Sequence, residues 1–277
     1  MNQTPFPISP TVLTVAGSDP TGGAGIQADL KTMTAIGVYG AAAITCITVQ
    51  NSRGVTESVP LDPGLVARQT QAVLADHHVT HIKIGMIGAI EIAAALGEVL
   101  ADYSGEVIYD PVLASTTGQS LLSCENLTEL HNRLISRVTV LTPNGDELAR
   151  LCRREIATAD DAIQCAITLL ARHEHLRAVI VKGGHLEPDS AEIRDYLILQ
   201  NREVNACKRP RVNSANLHGT GCTYASAFAA YHCLEQDYQK AFSLTSAFMD
   251  RIIVRSSPIT LVTSAGNGPL VHYLERS

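Results

Sequence analysis

The sequence has little charge and no long apolar run. Of its 277 residues, only 17% are charged and 45% are hydrophobic, which excludes a largely disordered chain and provides enough apolar side chains for a large core. No stretch reaches the roughly 18 consecutive apolar residues that a membrane-spanning helix requires, so we predict no membrane partner. Residues 1–10 lack the basic-then-apolar pattern of a secretory leader, and we expect a cytoplasmic protein.

Basic residues and closely paired cysteines are also scarce. The formal net charge is -6, which argues against a nucleic-acid partner. The short basic cluster at 208–211 is typical of an exposed strand end or loop. No two of the seven cysteines are spaced C-x-x-C, and in a chain of this length the odd, scattered set predicts free thiols in a reducing compartment.

Two familiar nucleotide-binding motifs are absent from the glycine-rich segment 17–25. The segment has the spacing G-x-x-x-x-G, but Gly23 and Ala24 stand where a phosphate-binding loop needs Lys and then Ser or Thr. It is not G-x-G-x-x-G either, which disfavours a dinucleotide-dependent dehydrogenase. A tight strand-to-helix turn is one interpretation. Four glycines exceed what such a turn needs, however, and we predict that the backbone approaches a ligand here.

Strand-like and helix-like segments alternate along the chain. Short apolar or β-branched runs predict strands, and apolar residues at helical spacing predict the helices between them. The predicted strands are 11–16, 41–50, 81–86, 107–110, 138–142 and 178–182, followed by a hairpin around 201–202. The alternation predicts an α/β fold, a single domain over 1–277, with a mostly parallel sheet and helices on both faces. Ligands of such sheets bind beyond the carboxyl ends of the strands.

The segment 218–223, His-Gly-Thr-Gly-Cys-Thr, precedes a run of small residues that predicts a helix. The unpaired N–H groups of residues 219–222, together with the helix dipole, would form an anion hole suited to a transferring phosphoryl group. In the first turn of this helix we expect the pKa of the Cys222 thiol to be lowered from about 8.5, so that it accepts a proton from a substrate hydroxyl. The alternative is a glycine-started helix with a buried cysteine.

Polar residues stand at or near the ends of several predicted strands. Asn144 and Glu147 would face a nucleotide and, through water, its Mg²⁺, although the same spacing is that of a capping box. Lys182 would reach triphosphate oxygens, and the carboxylate of Asp110 would either help to place a metal or begin a turn. Gln50 offers a donor and an acceptor in one plane. This suits the ring nitrogen and amino group of an aminopyrimidine, or Gln50 is simply a polar strand end.

These segments, in this order, resemble those of the hydroxymethylpyrimidine/phosphomethylpyrimidine kinases of thiamin biosynthesis, within the ribokinase-like superfamily. The likeness is close over 16–54, and it recurs at 83–86, 110–112, 142–147, 181–185 and 218–223. It implies a three-layer α/β sandwich, ATP with Mg²⁺ as phosphoryl donor, and phosphorylation of 4-amino-5-hydroxymethyl-2-methylpyrimidine. Family members commonly also convert the monophosphate to the diphosphate. Relatives are often dimers, so the resemblance allows a homodimer, but the sequence itself does not determine the oligomeric state.

The resemblance also implies roles for individual residues. The substrate pocket would consist of Gln50 at the pyrimidine edge, Thr48 against the ring, and Gly17, Ala24, Met86 and Val112 as walls. The nucleotide would be bound by Lys182, Asn144, Glu147 and Thr220, with Asp110 and Glu147 serving Mg²⁺ through water. The catalytic set would be Cys222 as base, with Gly219, Thr220 and Gly221 in the anion hole. No role for Asp29 follows from the sequence.

Two residues depart from the wider pattern. The superfamily usually has Asp where Cys222 stands, which places the chain in a cysteine-bearing branch, and Thr48 occupies a position that is commonly Val. Residues 114–119 align only loosely with the family's loop. The same branch includes pyridoxal kinases, which are the first alternative. The second is a non-catalytic pyrimidine-binding sensor, although the Lys182, Glu147 and glycines that such a sensor would lose are present.

Overall fold

The computed structural model describes residues 9–112, 129, 132–186, 189–262 and 266–273. Its strands are β1 (Thr11–Ser18), β2 (Tyr39–Asn51), β3 (Gly54–Pro60), β4 (Val79–Ile84), β5 (Glu106–Tyr109), β6 (Val140–Leu141), β7 (Ala178–Val181), β8 (Glu192–Leu199) and β9 (Val204–Pro210). Its α-helices are α1 (Gly25–Ile36), α2 (Pro63–Asp76), α3 (Ile90–Val99), α4 (Gly145–Cys152), α5 (Ala159–Arg172), α6 (Thr220–Glu235) and α7 (Tyr238–Ser256). Within these ranges no helix is long and apolar enough to cross a membrane.

The described strands form one sheet in the order β3-β2-β1-β4-β5-β6-β7-β8-β9. The six from β2 to β7 in that order run parallel, whereas β3, β8 and β9 are antiparallel to their neighbours. The predicted mostly parallel sheet is therefore confirmed, and β8 and β9 form the predicted hairpin. Because the parallel strands all end at the same edge, the polar residues that follow them are brought together there.

The edge strand β3 has no counterpart among the predicted strands. Its sequence, Gly-Val-Thr-Glu-Ser-Val-Pro, shows little apolar alternation, and most of its side chains are at least partly exposed. It is a strand because it pairs antiparallel with β2, from Asn51 opposite Gly54 to Cys46 opposite Pro60. Tertiary pairing rather than local pattern therefore determines this element.

Two apolar layers lie on opposite faces of the sheet. Successive side chains of β1 point to opposite faces, so that Leu13 and Val15 pack in one core cluster and Val12 packs in the other. The first cluster is closed by helices α2, α3, α4 and α5, and the second by α1, α6 and α7. This is the three-layer sandwich that the family resemblance implied.

A buried ion pair joins helix α1 to the sheet beneath it. The ammonium of Lys83, on β4, donates to both carboxylate oxygens of Asp29 at 2.9 Å. The hydroxyls of Thr14 and Ser226 donate to the same carboxylate at 2.5 and 2.6 Å. An unpaired buried charge would be costly, so this set of donors explains why a carboxylate is tolerated here. Asp29 thus joins α1, α6 and the sheet.

Candidate active site

Three charged side chains meet beyond the carboxyl ends of β5, β6 and β7. The Nζ atom of Lys182 lies 2.7 Å from Oδ1 of Asp110 and 3.7 Å from Oε2 of Glu147. The first turn of α6 faces them: a Cβ built on Gly221 would lie 3.5 Å from Oδ2 of Asp110 and 3.6 Å from Nζ of Lys182. The structure therefore brings the predicted nucleotide residues and the predicted anion hole to one place.

The backbone around these side chains is held from both sides. The N–H of Lys182 donates to the carbonyl of Pro143 at 2.9 Å, which joins the loops that follow β6 and β7. The hydroxyl of Thr142 donates to Asp110 at 3.2 Å. On the other side, the N–H of Gly183 donates to the buried carboxylate of Asp195 at 2.8 Å. Lys182 is thereby fixed in a position from which its ammonium reaches both carboxylates.

Asn144 and Glu147 form a capping box at the start of α4. The side chain of Asn144 accepts from the N–H of Glu147 at 2.8 Å, and the Glu147 carboxylate accepts from the N–H of Asn144 at 2.7 Å. The structural interpretation of this spacing is therefore confirmed. The same bonds hold the Glu147 carboxylate beside Lys182, so capping does not remove it from the site.

The Glu147 carboxyl is a weaker acid than an ordinary glutamate. Burial raises its pKa to about 7 from an ordinary 4.5; the Lys182 ammonium lowers it, and the carboxylate of Asp110 raises it. Because the folded state binds this proton more tightly than the unfolded state does, the resulting stability is present below the ordinary pKa. It is lost as the pH rises through about 7.

A Glu147→Gln variant is expected to be more stable than the wild type at pH 8, by about 1–3 kcal/mol, because Gln keeps the cap without the charge. At pH 5 the two proteins should differ far less, since the wild-type carboxyl is then protonated. Urea unfolding of both proteins at the two pH values measures this. Equal differences at pH 5 and pH 8 would contradict the raised pKa.

Helix α6 begins at a point where only glycine fits. Gly219 is its N-cap in the left-handed region, with φ 82, and a Cβ there would overlap the carbonyl oxygen of Gly23. The N–H of Thr220, the first helical residue, donates to the carbonyl of Leu217 at 3.3 Å, so it is already used. The N–H groups of Gly221 and Cys222 belong to the first turn, where a helix leaves donors without intrahelical acceptors.

The expected lowering of the Cys222 pKa is wrong for this structure. Burial raises the pKa of the thiol to about 11; the ammonium of Lys83 lowers it, whereas the carboxylates of Asp29 and Asp110 raise it. The N–H of Gly25 also donates to the sulfur and favours the thiolate. Desolvation beside two carboxylates thus outweighs the nearby cation and this donor. Sequence spacing cannot reveal either carboxylate, because both come from distant segments.

The glycine-rich segment 17–25 uses its backbone donors internally. The N–H groups of Thr21, Gly23 and Ala24 all donate to the carboxylate of Asp19, at 2.8, 3.1 and 2.8 Å. A Cβ on Gly25 would overlap the carbonyl of Gly17. The glycines are therefore required by close packing of the chain on itself. Asp19 was not among the predicted residues, although Asp at the start of a turn commonly binds the backbone that follows.

The predicted pocket residues lie on several neighbouring segments. A Cβ on Gly17 would lie 3.6 Å from Sδ of Met86 and 2.7 Å from Sγ of Cys46, a buried thiol that was not predicted to line the pocket. The hydroxyl of Thr48 donates to the carbonyl of Ser18 at 2.9 Å, which explains how a polar residue is accommodated there.

The remaining pocket residues flank the charged site. Val112 follows Asp110 directly, and its N–H donates to the Asp110 carbonyl at 2.8 Å. Ala24 is the N-cap of α1, and Gln50 donates a side-chain hydrogen bond to Asp19. Residues 114–119, the loosely aligned loop, lie outside the described residues.

Comparison with known proteins agrees with this geometry. A profile of the family described as phosphomethylpyrimidine kinase matches residues 19–270. The hydroxymethylpyrimidine/phosphomethylpyrimidine kinase of Streptomyces coelicolor is 37% identical over 269 residues, covering 97% of this chain and 96% of that protein. The Escherichia coli protein of the same name is 35% identical, covering 94% and 96%.

Solved structures give the same fold. A phosphomethylpyrimidine kinase from Clostridium difficile superposes with a TM-score of 0.76 at 34% identity, over 88% of this chain and 98% of that one. A pyridoxal kinase from Staphylococcus aureus in complex with ADP superposes with a TM-score of 0.83 at 28% identity, over 96% and 94%. The profile and the full-length relatives together show that this chain belongs to the phosphomethylpyrimidine kinase family.

Proposed function

We propose that the protein transfers the γ-phosphoryl group of ATP to the hydroxymethyl group of 4-amino-5-hydroxymethyl-2-methylpyrimidine, and then phosphorylates the monophosphate to the diphosphate. The observation that carries the proposal is the meeting of Lys182 and Asp110 with the first turn of α6, at 3.6 and 3.5 Å from a Cβ built on Gly221. A cation and free helix N–H groups at one point suit the charge of a phosphoryl group in transfer.

In the proposed reaction, the substrate hydroxyl oxygen attacks the γ-phosphorus while its proton passes to the sulfur of Cys222, which acts in its thiolate form and becomes a thiol. The bond from the γ-phosphorus to the bridging oxygen breaks, and ADP leaves in line. The N–H groups of Gly221 and Cys222 stabilise the charge on the phosphoryl oxygens, and Gly219 sets their direction. Lys182 donates to the phosphates, and Thr220 and Asn144 line the nucleotide.

Mg²⁺ suits the acidic residues that are present. Asp110 and Glu147 supply two carboxylates beside Lys182, and no cluster of three or more His, Cys, Asp or Glu side chains is found among the described residues. Mg²⁺ commonly takes one or two carboxylates, often through water, and completes its shell with substrate phosphates. Asp110 and Glu147 would hold the ion, which would neutralise phosphate charge. Lys182 keeps the two carboxylates from repelling one another.

The acceptor pocket would be formed by Gln50, Gly17, Ala24, Thr48, Met86 and Val112. The Gln50 amide is suited to the amino group and ring nitrogen of the pyrimidine, because it offers an acceptor and a donor in one plane. The sulfur of Cys46 would lie 2.7 Å from a Cβ at position 17, so there is no room for a side chain there and the backbone of Gly17 itself would form this wall.

Pyridoxal is the second candidate acceptor, since the S. aureus pyridoxal kinase superposes over nearly the whole chain. ADP release measured in parallel with the hydroxymethylpyrimidine, its monophosphate, pyridoxal and a sugar separates the candidates. We expect turnover with both pyrimidines and little with the sugar. No turnover with either pyrimidine would overturn the proposed substrate, and turnover with pyridoxal alone would establish the second candidate.

We also propose that residues 1–277 form one kinase domain that acts as a homodimer in the cytoplasm. The single sheet supports one domain. The side chains of Ile47, Val49 and Val59 are about half exposed on the edge pair β2–β3, where a second subunit would cover them. The six cysteines of the described part have free thiols, which suits a reducing compartment. Sedimentation equilibrium gives the number of subunits.

A further inference from the structure

Asp19 is a buried carboxylate at the centre of a dense set of donors. Its side chain is 3% exposed. Besides the three backbone N–H groups of its own turn, the hydroxyl of Thr21 donates to it at 2.9 Å. Burial alone would raise its pKa, but hydrogen bonds from His218, Gln50 and Thr21 hold the pKa well below the usual range for a carboxyl. Asp19 is therefore ionised, and its oxygens act only as acceptors.

One of its partners precedes the anion hole. Nε2 of His218 lies 2.9 Å from Oδ2 of Asp19, and His218 is followed directly by Gly219, the N-cap of α6. The ring of His218 also lies against Gly23, where a Cβ would be 2.5 Å from Cδ2. Asp19 thus joins the glycine-rich turn to the start of α6.

Its other distant partner is Gln50, near the end of β2. A shift of register between Val49 and Gln50 opposite β3 marks a bulge there, a feature that redirects side chains. The Gln50 amide forms a hydrogen bond with Asp19. Because an ionised carboxylate only accepts, the amide must turn its NH₂ group toward Asp19. The carbonyl oxygen Oε1 and the second N–H of Gln50 are then left for other partners, and the orientation of the amide fixes where this acceptor and this donor lie.

We propose that Asp19 is a positioning residue that fixes the orientation of the Gln50 amide and thereby selects an aminopyrimidine over pyridoxal. This rests on the proposed function, in which Gln50 faces the acceptor. An exocyclic amine donates to Oε1 while the adjacent ring nitrogen accepts the N–H. Pyridoxal instead offers phenolate and aldehyde oxygens, so an oxygen of the substrate would face Oε1 without a hydrogen between them. Such a mismatch costs about 1–3 kcal/mol, or roughly 10- to 100-fold.

The test replaces Asp19 by a residue of the same shape that both donates and accepts. In Asp19→Asn, the new NH₂ group can donate to Oε1 of Gln50, so the amide is free to reverse. We expect the ratio of kcat/KM for the hydroxymethylpyrimidine to kcat/KM for pyridoxal to fall roughly 10-fold or more. In a Gln50→Ala background the same substitution should leave the ratio unchanged, since the orienting effect needs the amide.

A His218→Phe variant is the matched control, because phenylalanine keeps a ring beside Gly23 but has no N–H that could donate to Asp19. It removes the hydrogen bond between Asp19 and the anion-hole segment but leaves the Gln50 contact, so it should lower kcat with both acceptors alike and preserve their ratio. Thermal unfolding checks that each variant is folded, and Asp19→Ser replaces Asp19→Asn should the latter not fold. An equal fall with both acceptors in the Asp19 variant would overturn the inference in favour of a purely structural role.

Titration calorimetry without ATP measures the affinity for each of the two acceptors, so its result does not depend on turnover. A wild-type protein that binds the pyrimidine without phosphorylating it would refute the proposed function, while the binding ratio would still test Asp19. An unchanged ratio in the Asp19 variant would refute the inference and leave the kinase assignment intact. A wild type that binds neither acceptor would refute both.

Discussion

Replacement of Cys222 by alanine is expected to lower kcat roughly 100- to 1,000-fold and to leave the KM for ATP nearly unchanged. The proposed base accepts a proton only as the phosphoryl group is transferred, so its loss affects the transition state rather than nucleotide binding. The methyl group of Ala leaves the backbone N–H groups at the start of α6 in place. Steady-state ADP release at saturating pyrimidine measures the change.

The pH dependence of kcat/KM is a second, independent test of Cys222 as the base. With a pKa of about 11, the Cys222 thiol is almost fully protonated near neutrality. Its thiolate fraction then rises about tenfold per pH unit. The wild-type kcat/KM should therefore increase with pH between about 7 and 9. Cys222→Asp, the residue typical of the wider superfamily, should keep more activity than the alanine variant and flatten the profile. Full turnover by Cys222→Ala would exclude Cys222 as the base and leave the kinase assignment unaffected.

The location of the site was predictable because parallel strands obey a simple rule. Asp110, Asn144 and Lys182 each follow a strand that is apolar apart from Glu106 at the start of β5. Continuous apolar runs of this kind are typical of strands that are buried on both faces of a parallel sheet. Once the strands are assigned, their carboxyl ends must share one edge. The fold and the meeting of these residues with α6 therefore follow from local pattern combined with topology.

The electrostatics of the site were not predictable in the same way. Lys83 stands in an alternating strand, where its spacing does not show that it pairs with Asp29 from a helix 54 residues earlier. That pair acts on the pKa of Cys222, together with Asp110 from a third segment. Such pKa shifts depend on the distances between charged groups on segments that are far apart in the sequence. The spacing of residues within a motif gives no information on those distances. In the glycine-rich turn, by contrast, the acceptor of the backbone N–H groups is Asp19, which lies within the turn itself.

Replacement of Lys182 by methionine is expected to lower kcat/KM for ATP roughly 100- to 1,000-fold. The ammonium is the cation between Asp110 and Glu147, at 2.7 and 3.7 Å, and it faces the first turn of α6. Burial alone would lower its pKa, but the two carboxylates hold the pKa above its usual range, so Lys182 remains charged at neutral pH. Methionine has a similar length and no charge, and the phosphates would lose their cation. Lys182→Arg tests whether charge alone suffices.

The same substitution should also destabilise the protein, by about 3 kcal/mol, because Asp110 is 1% exposed and would lose its cation. A fall in activity could then reflect unfolding, and a double variant separates the two effects. In Lys182→Met with Asp110→Asn, the uncompensated charge at Asp110 is gone, so much of the stability should return in urea unfolding. Activity should not return, because the phosphates still lack the ammonium and the proposed Mg²⁺ site has lost the Asp110 carboxylate. Recovery of kcat/KM together with stability would show that Lys182 serves the fold and not the nucleotide.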